Sequence, residues 1–89
     1  MTNPTPLVLE YIWEAANVLE KNESKARHLA AAYLKSILQG QVDYVIRGLN
    51  QRITKNDIRG KKLETLNKVI TYFKNHREYM RYDEYLAKG

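Results

Sequence analysis

Six cations crowd one short stretch: Arg47, Arg52, Lys55, Arg59, Lys61 and Lys62, interrupted only by Asp57. A turn with flanking helix ends can present several such side chains to the phosphates of a polyanion at once. No aromatic residue is interleaved among them, which argues against stacking on single strands. A solvated, mobile loop that merely keeps a domain soluble has the same composition, so both readings stand at this point.

The second concentration of chemistry is aromatic. Tyr79, Tyr82 and Tyr85 sit beside Met80 and Leu86 near the C-terminus. Three tyrosines at that spacing cannot all share one helix face. Two expectations follow. They form a docking surface, covered in a homodimer, or they close the core of a monomer.

Little else could react. Asp83-Glu84 is the only adjacent carboxylate pair, and neighbours on a helix point about 100° apart, which does not make an acid/base pair. A Walker loop, a dinucleotide glycine pattern, a His-Glu-x-x-His pair and a Gly-x-Ser-x-Gly elbow are absent. There is no cysteine, which excludes disulfides and thiolate metal sites. His28 and His76 are too few for a histidine-rich metal site. No catalytic residue, metal ligand or cofactor is therefore expected, and the chain alone reads as a non-enzyme.

The elements that must position these residues are helical. The chain has 89 residues and a net charge of +5, enough for one small domain. The charge is uneven. Residues 1–45 sum to −1 and residues 46–89 to +6, which raises the case for a polyanion on the C-terminal half. No apolar run approaches the roughly 20 residues of a membrane span. The N-terminal MTNPTPLVLE lacks the pattern of a signal peptide, so the expected location is cytoplasmic.

Apolar spacing predicts helices near 6–20, 24–39, 41–54, 61–75 and 77–87. The expected organisation is a tail over 1–5 and one all-α bundle of four to five short helices over 6–89. Thr5-Pro6 reads as a helix start and Asn22 or Ser24 as the cap of the second helix. Gly40 stands where a helix-ending glycine belongs. Gly48, inside the third helix, costs about 1 kcal/mol against Ala unless a neighbour packs close. The expected core is Leu9, Ile12, Trp13, Leu29, Tyr33, Leu34, Ile37, Val45, Ile46, Leu49, Leu66, Ile70 and Phe73. Trp13, the only tryptophan, is read as a core anchor rather than a stacking platform. His28 is expected at the surface or at the boundary of the second helix's apolar stripe rather than as a ligand.

Two segments carry a family resemblance. Val8-Leu9-Glu10-Tyr11-Ile12-Trp13-Glu14-Ala15-Ala16 resembles a segment of bacterial IS-Kra-type insertion-sequence transposases. Gly60-Lys61-Lys62, then Lys68-Val69, Tyr72-Phe73, Asn75 and the run from Tyr79 to Gly89 resemble a second segment of that family, in the same order. In that family the resemblance implies an RNase H-like core with acidic metal ligands. The helical stretch between the two segments is inserted after the second catalytic aspartate and before the final glutamate. The aspartate and histidine that precede the first segment in the family would fall at about Pro4 and Leu7, and neither is present. The family's glutamate follows the Tyr-Leu-Ala-x-Gly stretch, beyond Gly89. No catalytic ligand is carried over. The expectation is a non-catalytic helical insertion domain cut on both sides that contacts DNA without sequence preference through the basic turn. The alternative is a protein-interaction (dimerisation) module or a functionless relic of a mobile element.

Overall fold

The computed structural model describes residues 5–80, with the side chains of residues 7–78 and of Met80. It is an all-α bundle of α1 (Thr5–Leu19), α2 (Glu23–Leu38), α3 (Val42–Lys55) and α4 (Gly60–Asn75), closed by a 3₁₀ turn over Arg77–Met80. No strand occurs among the described residues. The first four expected helices are present, each within about one residue of its expected span. The fifth differs at its start, where residues 77–80 take the tighter 3₁₀ form. Its remainder lies outside the described residues, as do residues 1–4.

The helix ends follow from local chemistry. Asn22 caps α2, accepting a hydrogen bond on its side-chain oxygen from the Lys25 N–H at 3.1 Å. Gly40 ends α2 with φ +77°. Its N–H donates to the Ile37 carbonyl, and the Gln41 N–H donates to that of Ser36. This is the Schellman arrangement that satisfies the last carbonyls of a helix. The same pair of bonds ends α3, from Asp57 to Thr54 and from Ile58 to Ile53. There a non-glycine, Asp57 at φ +50°, takes the left-handed position. Aspartate tolerates it better than most side chains. Ile58 then folds back onto the core together with Ile53, as its place after a helix end requires.

Neighbouring helices pack in a ring, α1 on α2, α2 on α3, α3 on α4 and α4 on α1. The short connections make sequential neighbours antiparallel. The core is apolar throughout, with no buried polar or charged residue among the described ones. It holds Ile12, Tyr33, Ile37, Val45, Ile46, Leu49, Leu66, Ile70 and Phe73 as expected, together with Val8, Ala15, Ala16, Ala26, Ala30, Val42, Val69 and Met80.

Four expected core residues are placed differently. Trp13 is 41% exposed, and Leu9, Leu29 and Leu34 are half-buried. The reason lies in α1, which packs against both α2 and α4. Its buried arc is centred on Val8, Ile12, Ala15 and Ala16, so Leu9 and Trp13 fall on its outer edge beside α2. Small residues at Ala15, Ala16, Ala26 and Ala30, all buried, let the helices approach without a tryptophan between them.

Candidate nucleic-acid interface

The basic stretch maps to the end of the bundle where α3 stops and α4 begins. Arg47 and Lys55 stand on the solvent face of α3, where they line a shallow groove with Asp43, Ile46, Asn50, Gln51 and Thr54. Arg59 precedes α4 in extended backbone (φ −139°, ψ 172°) and offers no side-chain cap. Gly60 opens α4 at φ +70°, a conformation glycine adopts without strain. Lys61 and Lys62 follow in the first turn, both exposed. No acidic residue occupies that turn.

The six cations are not equivalent. Arg52 is half-buried, and its Nη1 donates to Glu20 Oε2 at 3.2 Å. Glu20 follows α1, so this pair ties the α1–α2 connection to the end of α3. Arg52 is therefore held in the body of the bundle. Arg59 Nε reaches Asp57 Oδ1 at 3.0 Å, with both side chains largely in water, where such a pair is worth little. Arg47, Lys55, Lys61 and Lys62 make no ion pair with another described residue.

The charge is more concentrated than a half-by-half division reveals. Residues 46–62 hold six cations against Asp57, a net +5 equal to that of the whole chain. The other residues balance, nine cations against nine carboxylates. Several of those balance in space as well: Lys68 with Glu14 at 2.9 Å, Arg77 with Asp43 at 2.9 Å and Arg27 with Glu23 at 3.2 Å. Lys68 has its pKa raised, first by its hydrogen bond to Glu14.

The tyrosine surface expected at the C-terminus lies outside what the structure describes. Tyr82 and Tyr85 are beyond residue 80, and only the backbone of Tyr79 is described. A different aromatic feature emerges instead. The Tyr11 and Tyr72 rings stack at 4.1 Å, and His76 stacks on Tyr72 at 4.3 Å. The His76 Nδ1–H donates to the Tyr72 carbonyl at 2.9 Å. This stack joins α1 to the end of α4. Its signal in the sequence is a second α1 stripe, Tyr11, Ala15 and Val18 at i, i+4 and i+7, which the stripe through Trp13 obscures. His28 is exposed as expected, with Nδ1 3.2 Å from the Ser24 carbonyl.

No three His, Cys, Asp or Glu side chains come together as a metal site among the described residues. Among these residues, no helix is long and apolar enough to cross a membrane. The molecule so defined is a small helical bundle with a charged end. Comparison with protein-family models, with curated proteins and with solved structures found no match.

Proposed function

We propose that this chain is a non-catalytic helical module, of the transposase-derived kind its sequence resembles, that holds duplex DNA through backbone phosphates. The observation that carries this reading is the segregation of charge. The entire net +5 resides in residues 46–62, and Arg47, Lys55, Arg59, Lys61 and Lys62 all face solvent there. Such contacts position a duplex without reading its sequence. Arg52, engaged by Glu20, supports the end from behind rather than contacting phosphate.

The non-catalytic part rests on the chemistry of strand transfer. Two metal ions about 4 Å apart need clustered carboxylates. Among the described residues no three come together, and Glu14, Glu20, Asp43 and Glu23 each pair singly with a cation, Lys68, Arg52, Arg77 and Arg27. Metal-dependent nicking of plasmid DNA, abolished by a point substitution in the chain, would overturn it.

The test of binding is a duplex titration at two salt concentrations. Binding tightens at low salt, with a log–log slope of about −0.9 per phosphate neutralised. Lys61→Ala with Lys62→Ala and Arg59→Ala weakens binding equally on unrelated sequences. Absence of binding at low salt, or indifference to the triple substitution, sinks the reading. A protein-interaction module is the alternative, and the apolar face of α1 and α2 is the observation that favours it.

A further inference from the structure

Opposite the logic of the basic end, α1 and α2 leave an apolar face open. Leu9 and Trp13 lie at i and i+4 on α1. Arg27, Ala31, Leu34 and Leu38 recur at i, i+4, i+7 and i+11 on α2. Leu9, Trp13, Ala31 and Leu34 line one groove between the two helices, with Arg27 at its end. Trp13 is 41% and Leu38 38% exposed, two of only four large apolar side chains so exposed among the described residues. A tryptophan held half in water beside alanines and leucines resembles the centre of a binding patch more than a scattered surface residue.

The charges around this groove specify what covers it. Glu14 of α1 turns to Lys68 of α4, Arg27 pairs with Glu23, and Lys25 lines a recess with Arg52 on the other side of α2. This leaves Glu10 on α1 and Lys35 on α2 as the exposed charges beside Leu9 and Leu34. A face with one acid on α1 and one base on α2 is complementary to itself. A twofold axis running along the groove lays α1 of one copy over α2 of the other and preserves height along the groove. Trp13 and Ala31 line the groove together, so the axis sets the indole of each copy over the small Ala31 of the second. Glu10, next to Leu9, comes over Lys35, next to Leu34. The perpendicular axis would lay α1 on α1 and oppose like charges.

We infer that the α1–α2 face is a homodimer interface, isologous about such an axis, with Trp13 as its anchor. It is separate from the basic end, so it stands or falls independently of DNA binding. Trp13 is the sole tryptophan, which makes it a direct reporter.

The experiment is sedimentation equilibrium of the full chain from micromolar to millimolar concentration, with tryptophan emission recorded on the same samples. The expected result is a mass that doubles with concentration and an emission maximum that moves to shorter wavelength in step. Ala31→Arg, at an exposed position that the fold tolerates, weakens dimerisation at least about tenfold with helicity unchanged. Glu10→Lys and Lys35→Glu each weaken it, and combining them restores it. A mass of one copy throughout overturns the inference. So does a doubling that leaves the emission or the Ala31→Arg dimer unaltered, since the interface would then lie elsewhere. Failure of the combined reversal to restore association overturns the arrangement of the helices.

Discussion

Tyr33 is buried on α2 and lines a small recess with Arg52 from α3. Burial pushes its hydroxyl above the ordinary 10.0, Arg52 opposes that shift, and Glu20 adds to it. The proton is thus held more tightly in the folded chain than in the unfolded one. The resulting stability is present in full below the unfolded pKa and is lost as pH rises through the folded value. Urea unfolding followed upward from pH ~9 should show a steeper alkaline loss for the native protein than for Tyr33→Phe. Arg52 separates structure from binding at the same place. Arg52→Ala leaves Glu20 half-buried without its partner and removes the packing of the arginine stem, at a cost of about 1–2 kcal/mol in denaturant melts. Its effect on duplex affinity should be smaller than that of Lys61→Ala with Lys62→Ala. Sequence alone could not rank these cations. Glu20 stands 32 positions from Arg52, and only the fold, which sets the α1–α2 connection beside the end of α3, brings them together.

Among the elements, periodicity located the helices well because each buries a stripe wide enough to repeat over three or four turns. It placed the stripe of α1 less well. Trp13 drew the expected centre toward itself by size, whereas contact with two neighbouring helices centres the buried arc on Val8, Ile12 and Ala15. The 3₁₀ turn that carries buried Met80 was illegible for another reason, since four residues are too few to show a period. The difference in burial between stripes has a measurable consequence. Ile70→Ala, in the core, should cost about 2–5 kcal/mol, whereas half-buried Leu34→Ala should cost clearly less in the same melts. Gly48 offers the opposite sign. A Cβ built there meets nothing within 4 Å, so no packing demand explains the glycine. Gly48→Ala should stabilise α3 by about 0.5–1 kcal/mol, read as a raised denaturation midpoint.

At the scale of the molecule, the asymmetry between an even-charged body and a cationic end bears on colloidal behaviour. With nine charges of each sign elsewhere, the net repulsion between copies near neutral pH comes from that end. On the proposed reading, phosphates that occupy it remove the repulsion along with the charge. The complex then remains suspended only while the nucleic acid contributes surplus negative charge. Mixing protein into a fixed amount of duplex should therefore give a sharp maximum in light scattering close to five phosphates per chain, matching the +5. The suspension should clear again on either side of that ratio. A body with scattered charge would pass the same ratio without turbidity, so the height of the maximum, rather than its position, measures how completely the charge has been gathered at one end.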